Sequence, residues 1–306
     1  MYDTVRFWFK RGEVCPRYVL SLLPDVRKHY DRNNRVFYYG TFRNFVVTVS
    51  DFGVFLHGSL AKYYLGNNID TLKFHEVEIA IENLSQEFGA DLSTASVTRI
   101  DFSTVIFTNQ PPIRYYKFLG KSGRYRRRLD SSGLTLYYNL KRRRLVFYDK
   151  TAEAQTKGVD IPTQFVGQNL FRYEMRFLGR LKQQLRLSYD VMGATLYDHD
   201  FYRRLVQRWH NEFMKISKIN IMTTNRIKTP KQAFEAYCAK LVRANGQKAL
   251  DNYISKLNFS DPKYRSRAKA IFNKLLTNPA GKKADLVSEL EVKIAEKAEQ
   301  ALADTQ

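Results

Sequence analysis

The residues most capable of chemistry lie in one stretch, Leu134 to Glu153, which carries tyrosines, carboxylates and a run of arginines. A phenol can act as a nucleophile, carboxylates can hold a hard divalent cation, and arginines can bind phosphate groups. By residue type alone, Tyr148 is best interpreted as a strand aromatic, because the chain contains 20 tyrosines. Any chemistry at Tyr148 depends on which groups the fold brings beside it.

The same stretch predicts a β-hairpin. The segment Leu134–Leu140 is dense in Leu, Thr and Tyr, and Leu145–Tyr148 is apolar and aromatic, which are strand compositions. Between them, Lys141 to Arg144 is too cationic for a core and predicts a basic turn. Because side chains alternate along a strand, Tyr148 is expected to share a face with Lys150 at the strand end.

Two further segments have the alternation of strands with one charged face. In Ser96–Phe107 the apolar residues alternate with a face that carries Arg99 and Asp101. In Leu170–Phe177 aromatic and apolar residues alternate with a carboxylate between two arginines. These charged residues are Arg172, Glu174 and Arg176.

Short β-branched or aromatic runs separated by turn-forming residues also fill the first 60 residues. A helix is predicted after them, since apolar residues from Val77 to Phe88 recur at helical spacing, with Thr71 as its cap and Gly89 as its end. The fold class is therefore α+β, with an antiparallel sheet in the first part of the chain.

From Leu181 onward the hydrophobic period is helical. We expect a β-rich α+β domain over residues 1–183 and a helical domain with a charged C-terminal tail over residues 184–306. Within the latter, Thr229-Pro230 predicts a helix start, Asn245-Gly246 its end, and the Asn-Pro-Ala-Gly run at 278–281 a later break.

The charge of the chain favours a polyanionic partner. Fifty-one Lys and Arg against 30 Asp and Glu give a formal charge of +21 and a pI near 9.8, which makes nucleic acid the leading partner. Two basic clusters, at 121–128 and 141–144, are solvated loops in the simplest interpretation and phosphate-binding arms in the functional one. Their expected DNA contacts are Arg124, Arg126, Arg127, Arg128, Lys141, Arg142, Arg143 and Arg144.

No membrane partner is expected, because the sequence has no run of 18 or more apolar residues. Its first ten residues predict a strand and not a signal peptide. Cys15 and Cys238 lie far apart and form no ligand pattern, so reduced thiols are expected. These features predict a cytoplasmic protein.

Three motifs in order resemble those of a known family. They are VTRIDFS at Val97–Ser103, the hairpin LTLYYNLKRRRLVFYDKTAE, and LFRYEMRF at Leu170–Phe177. Their order and spacing are similar to the gene II/X replication initiators of filamentous phages and related plasmid proteins. GSLAKYYLGNN at Gly58–Asn68 and LYDHDFYRRLVQRW at Leu196–Trp209 extend the likeness over roughly the first 220 residues. The central motifs also resemble staphylococcal-type rolling-circle plasmid initiators.

The resemblance implies a rolling-circle replication initiator of the antiparallel-sheet type that acts in the cytoplasm of a bacterial host. Such a protein is a metal-dependent endonuclease that nicks one strand of the origin. The resemblance also implies Tyr148 as the nucleophile that keeps the 5′ phosphate, and Asp101 and Glu174 as carboxylates that hold Mg²⁺ or Mn²⁺. Lys150 could lower the phenol pKa or bind the phosphate. Charge stabilisation in the transition state is expected from Arg99, Arg172 and Arg176.

The residues leave several alternatives open. Tyr137 and Tyr138 are rival nucleophiles, and Glu153 or Asp149 could replace either metal ligand. Asp101 and Glu174 could instead be ion-paired to neighbouring arginines. The five histidines form no His-x-His pair, which favours carboxylate ligation, with His57 as a possible third ligand.

The expected partners are origin DNA, duplex or supercoiled and single-stranded, together with a host helicase and polymerase. A separate helicase is expected because the sequence has no GxxxxGK phosphate-binding loop. Two other functions fit the composition: a non-enzymatic DNA- or RNA-binding protein, and a relaxase that uses the same chemistry for plasmid mobilisation.

Overall fold

The computed structural model describes residues 1–219, 229–276 and 285–305 and has one antiparallel sheet as its main element. The ten strands are β1 Tyr2–Lys10, β2 Arg27–Tyr30, β3 Val36–Phe42, β4 Phe45–Ser50, β5 Gly53–Ser59, β6 Ser96–Thr108, β7 Arg126–Leu129, β8 Thr135–Asn139, β9 Arg143–Asp149 and β10 Asn169–Leu178. They lie in the order β2-β3-β4-β5-β1-β6-β10-β9-β8-β7. Every pairing between these strands is antiparallel.

Helices connect and cover this sheet. Their bounds are α1 Pro16–Ser21, α2 Leu60–Leu65, α3 Phe74–Phe88, α4 Ile113–Tyr116, α5 Lys150–Thr156, α6 Leu181–Leu185, α7 His199–Met214, α8 Pro230–Lys256, α9 Pro262–Leu276 and α10 Asp285–Ala303. The α+β class with an antiparallel sheet and a helical C-terminal region, predicted from the sequence, is confirmed.

One face of the central strands is an aromatic core. Tyr173 on β10 stacks on Phe147 of β9 at a ring separation of 4.6 Å and on Trp209 of α7 at 4.7 Å. The Tyr173 hydroxyl donates to the Trp209 carbonyl at 2.9 Å, so its polar atom is satisfied inside the core. These rings join α7 to the middle of the sheet.

The main core extends across both predicted domains. Residues of α7, such as Leu205, and of α10, such as Ile294, are fully buried in the same apolar cluster as the sheet residues. A separate, small cluster holds α8 and α9 together around Leu250 and Ile254. The division between residues 183 and 184 stays a prediction, and the sheet uses helices from beyond it.

The predicted hairpin is present, but its basic turn is shorter than expected. Strand β8 ends at Asn139 and β9 begins at Arg143, so the turn is confined to 140–142. The prediction that Arg143 and Arg144 lie in the turn is wrong. Both take strand positions, because their partners Phe177 and Arg176 on β10 extend the ladder to that point.

Two helix boundaries also differ from the predictions. Helix α3 ends at a left-handed Gly89, as expected, but Lys73 and not Thr71 is its N-cap residue. The Thr71 hydroxyl instead lies 2.8 Å from that of Thr104 on β6. Helix α8 continues through 245–246 to Lys256, since good helix formers on both sides outweigh the local cost of Asn-Gly. The break predicted at 278–281 lies outside the described residues.

Candidate active site

A polar cleft of about 540 Å³ opens on the sheet face opposite the aromatic core. Strand register assembles it: Arg176 of β10 lies opposite Asp101 of β6, and Arg172 of β10 lies opposite Tyr148 of β9. Because residues two apart share a face, Glu174 joins the same set. Five of the predicted site residues line this one cleft, namely Asp101, Tyr148, Glu153, Glu174 and Arg176.

Tyr148 is half-buried near the end of β9, where the strand turns into α5. Burial raises the pKa of its phenol well above the usual value; Arg172 opposes this effect, and the charge of Glu174 adds to it. The hydroxyl is therefore protonated at neutral pH. A group that neutralises the nearby carboxylates would favour the phenolate.

The two central carboxylates are paired with arginines. Arg99 donates to both oxygens of Asp101, with Nε–Oδ1 at 2.8 Å and Nη2–Oδ2 at 2.5 Å. Arg176 donates to both oxygens of Glu174 at 3.0 and 2.9 Å. Its Nε also lies 3.8 Å from Oδ2 of Asp101, so Arg176 bridges the carboxylates. The ion pairing considered from the sequence is present.

Asp101 is 1% exposed, which strongly affects its titration. Burial, together with the charge of Glu174, raises the pKa of Asp101 to about 7, against the lowering effect of the arginines. A buried carboxyl that titrates near neutrality beside another carboxylate is typical of a functional site. A bound cation at this pair would favour the ionised form.

Arg172 lies under Tyr148 and is only 2% exposed. Its Nη2 is 2.7 Å from Oδ2 of Asp3 and donates to the Ser103 hydroxyl at 2.7 Å, while Nη1 donates to the Asn68 carbonyl. This set of contacts fixes Arg172 as a buried positive charge beside the phenol. Its geometry suits positioning and electrostatic support of Tyr148.

Asp3 has a central place in the cleft that sequence reasoning missed. Burial acts to raise the pKa of Asp3, but Arg172 and the Ser59 hydroxyl, which donates at 2.6 Å, outweigh this and leave the pKa below its usual value. The available signal was the one carboxylate in the first strand, whose other charged residues are Arg6 and Lys10. A buried ionised group requires a partner, but the sequence does not show which.

Lys150 does not continue the strand as predicted, because it is the first residue of α5. The prediction that Lys150 shares the strand face of Tyr148 is therefore wrong. The Asp149 carboxylate caps α5 by accepting from the amides of Thr151 and Ala152 at 2.9 and 3.0 Å. Both amides donate to Oδ1 of Asp149, and its role as a rival metal ligand stays a prediction.

The ammonium group of Lys150 is buried at 3% exposure and donates to Oε2 of Glu153 at 2.7 Å. Burial and the nearby Arg172 lower the pKa of Lys150. Lys157 also pairs with Glu153. These two lysines outweigh burial and hold the pKa of the Glu153 carboxyl below its usual value. The negative charge of Glu153 is therefore balanced by two lysines.

His57 of β5 borders the cleft beside Arg99. Its Nδ1 lies 3.4 Å from the Val5 carbonyl and its Nε2 lies 3.3 Å from Nη1 of Arg99. Burial, reinforced by Arg99, lowers the pKa of His57, which favours the neutral ring. A neutral imidazole with Nδ1–H directed to a carbonyl presents Nε2 as a lone pair.

The rival tyrosines lie on opposite faces of β8. Tyr138 is fully buried in the core, where its hydroxyl donates to the Gly120 carbonyl at 2.7 Å. Tyr137 lines the cleft, with the guanidinium groups of Arg128 and Arg144 at 5.2 and 5.9 Å from its ring. Of the two rivals, only Tyr137 faces the site.

The basic clusters divide between the two sheet faces. Arg127 and Arg143 point to the core side, where Arg127 donates to the carbonyls of Leu119 and Tyr116 at 2.8 and 2.9 Å. Arg143 lies 3.5 Å from the buried Glu212 of α7. The strand pairing puts three other arginines of these clusters on the cleft side. The remaining three basic residues lie in exposed or half-buried connections. The cleft-side residues are Arg126, Arg128 and Arg144, and the others are Arg124, Lys141 and Arg142.

Within the described part of the chain, no three His, Cys, Asp or Glu side chains are placed together as a metal site. The structure therefore does not assemble Asp101, Glu174 and Glu153 into one ligand set. Asp101 and Glu174 are a pair of oxygen donors of the type that Mg²⁺ or Mn²⁺ accepts, and Arg99 lies between His57 and Asp101. Their role as ligands stays a prediction.

Fold and cleft together define an α+β protein whose central sheet has one aromatic, helix-covered face and one open, cationic face with paired carboxylates. Residues 1–212 match the family model for the N-terminal region of the phage replication-associated protein encoded by gene II. The chain belongs to this family and is a phage replication initiator of the filamentous-phage gene II type.

A comparison with curated proteins found no match. Among the helices in the described ranges, none is long and apolar enough to cross a membrane.

Proposed function

We propose that this initiator nicks one strand of a replication origin through Tyr148 and remains attached to the 5′ phosphate. The observation that carries the proposal is the placement of Tyr148 in one cleft with Asp101, Glu174 and Arg176, in a chain of the initiator family. The nick leaves a 3′ hydroxyl, which is the primer for rolling-circle synthesis by a host polymerase.

In the proposed step, the phenolate oxygen of Tyr148 forms a bond to the scissile phosphorus. The bond from phosphorus to the 3′ oxygen breaks, the tyrosine proton is released, and the departing 3′ oxygen takes up a proton. The phosphotyrosine conserves the energy of the broken phosphodiester, so a later 3′ hydroxyl can reverse the reaction and close the strand.

The charges in the cleft support a nucleophile that ionises once the substrate is bound. The phenol pKa is raised by burial and by the charge of Glu174, and it is lowered by Arg172. A scissile phosphate bound by Arg176 and a cation held by the carboxylates would screen Glu174. The lowered phenol pKa would then let the phenolate form next to the scissile phosphorus.

We propose Asp101 and Glu174 as the carboxylates that hold Mg²⁺ or Mn²⁺. When bound, such a cation supplies charge neutralisation and orientation for the phosphate oxygens. Arg99 and Arg176 now occupy the carboxylate oxygens, so both must give up part of these contacts to the cation. Released guanidinium groups would be free to bind the same phosphate.

Other steps of replication fall to partners. The sequence has no GxxxxGK phosphate-binding loop that could drive unwinding. We therefore propose that a host helicase separates the strands behind the nick. The protein is proposed to act in the host cytoplasm, where helicase and polymerase are available.

The test is incubation with a supercoiled plasmid that carries the cognate origin, in Mg²⁺ or Mn²⁺. We expect nicked circles and protein that remains on DNA through denaturation. Tyr148→Phe should abolish both while leaving DNA binding intact, and Tyr137→Phe should retain them. Wild-type protein that binds the origin without any nick or adduct would instead identify a non-enzymatic DNA-binding protein.

A further inference from the structure

A second feature of the cleft-side face lies on the far strands of the sheet. Cross-strand register places Trp8 of β1 beside Phe55 of β5. Tyr39 of β3 lies two strands beyond Phe55, with Thr48 of β4 between them. Trp8 and Phe55 are stacked with ring centroids 5.6 Å apart and an interplanar angle of 7°. Phe37 stacks on Tyr39 at 6.3 Å and 23°.

We name these four rings the aromatic platform: Trp8, Phe37, Tyr39 and Phe55. Each ring is half-buried or exposed, whereas the alternate residues of the same strands fill the core. Phe7 and Val54, for example, are at most 1% exposed. An interior role therefore does not account for the platform.

Cations accompany the rings. The guanidinium of Arg6 lies 5.3 Å from the Phe55 ring centroid, and Arg27 of β2 pairs across from Tyr39. In the described strands, alternation places no carboxylate on this face of β1 from Thr4 to Lys10, or of β2 to β5. This surface is complementary to a polyanion that carries flat, apolar groups.

The platform is continuous with the cleft. Arg6 lies across from His57, which contacts Arg99, the partner of Asp101. Arg6 Nε also donates to the Thr98 hydroxyl on β6 at 2.8 Å. From β6 to β2 the sheet spans five strand intervals, or roughly 24 Å at the usual spacing. A strand anchored at Tyr148 could extend over this distance.

We propose that the aromatic platform binds unpaired bases of single-stranded DNA next to the scissile phosphate. Bases can stack on aromatic rings only when their faces are free, so duplex DNA cannot use the platform. The identity of the strand rests on the proposed function, since Tyr148 fixes which end enters the cleft. The bases on the platform would belong to an origin segment that is already melted when it is cut.

The test uses Tyr148→Phe protein, which cannot cleave, and fluorescence anisotropy with a 16-nucleotide oligothymidylate and a 16-base-pair duplex. Tyr39→Ala removes a ring on β3, next to the edge strand β2, that is 36% exposed, so the fold is retained. We expect single-strand affinity to fall roughly fivefold or more, with duplex affinity unchanged. Tyr30→Ala is the matched control, because this exposed ring lies on the other side of the same strand pair.

A second measurement does not depend on any substitution. Photocross-linking of an iodouracil-containing single strand should label the peptides that contain Trp8, Phe55 or Tyr39. Unchanged single-strand affinity in Tyr39→Ala, equal losses in Tyr30→Ala, or cross-links confined to β7–β9 would overturn the proposal. Adduct formation by wild-type protein is a separate result, so loss of the proposed nicking and loss of the platform are distinguishable.

Discussion

The two faces of β6, β10 and β9 bury different chemistry on one backbone. On one face, Phe147, Tyr173 and Trp209 form a continuous stack whose polar atoms are satisfied internally. On the other face, Asp101 and Glu174 are almost fully buried and carry charge that arginines must neutralise. Period-two alternation alone separates the two environments.

The difference shows which face the fold needs for stability. Apolar packing stabilises directly, whereas a buried ion pair loses hydration that its attraction only partly restores, and apolar replacements often stabilise such sites. The cleft-side charges are therefore poorly explained by folding alone. Their cost is understandable if Asp101, Glu174 and the arginines act on a ligand that brings its own charge.

After loss of the Tyr148 hydroxyl, the largest effect is expected from the carboxylates. Asp101→Asn or Glu174→Gln should reduce metal-dependent nicking by about a hundredfold or more, since an amide is a much weaker ligand for Mg²⁺ than a carboxylate. The measurement is the nicking rate against Mn²⁺ concentration, with Glu153→Gln as a comparison. Wild-type titration curves for both variants would remove Asp101 and Glu174 as ligands and place them with the structural ion pairs.

A second test uses the pH dependence of stability. The folded-state pKa of Asp101 is about 7, raised by burial and then by Glu174 from an ordinary value near 4. Between these values the folded state binds the extra proton, so unfolding free energy should decrease as pH rises, by about 1.4 kcal/mol per pH unit at most. The stabilisation that comes from the proton on Asp101 is complete at low pH and is lost above about pH 7.

Asp101→Asn removes this titration. Measured by urea unfolding from pH 4 to 8, its stability relative to wild type should increase with pH and level off above about pH 7. Parallel curves for the two proteins would show that Asp101 is ionised throughout. The aromatic stack would not respond in either case, because Phe147 and Trp209 have no titratable group and burial raises the pKa of Tyr173 well above its usual value.

The smallest effects separate the arginines of the two faces. Arg126→Ala with Arg128→Ala should flatten the slope of log K against log salt by roughly 1.8 on duplex DNA if both contact phosphates. Arg127→Ala with Arg143→Ala should leave the slope nearly unchanged and instead lower stability by about 1–3 kcal/mol, because buried carbonyls lose their donors. Similar slopes in both double variants would contradict the division.

Local pattern was enough to predict much of this architecture. The hairpin, the charged faces of β6 and β10, and the end of α3 at Gly89 all follow from short-range periodicity and glycine geometry. Three spaced motifs also resembled those of the family that residues 1–212 match. Tyr148, Asp101 and Glu174 could be placed on strands before any register was known.

The missing parts depend on contacts distant in sequence. Asp3 enters the cleft only because β1 lies next to β6 in the sheet, and its partner Arg172 is on β10. Arg127 and Arg143 could not be separated from their neighbours until the strand positions were fixed. The prediction for Lys150 extended the strand alternation of β9 past Asp149. In the structure Asp149 caps α5, so a helix begins at Lys150.

The central claim is that Tyr148 becomes bonded to DNA. The most direct measurement is mass spectrometry of nuclease- and protease-digested adduct, formed on a cognate-origin plasmid with Mg²⁺ or Mn²⁺. The account predicts a nucleotide 5′-phosphate on the peptide that contains Tyr148, and no such peptide from Tyr148→Phe protein. A phosphate on the peptide containing Tyr137, or an adduct that persists in the Tyr148→Phe variant, would contradict it.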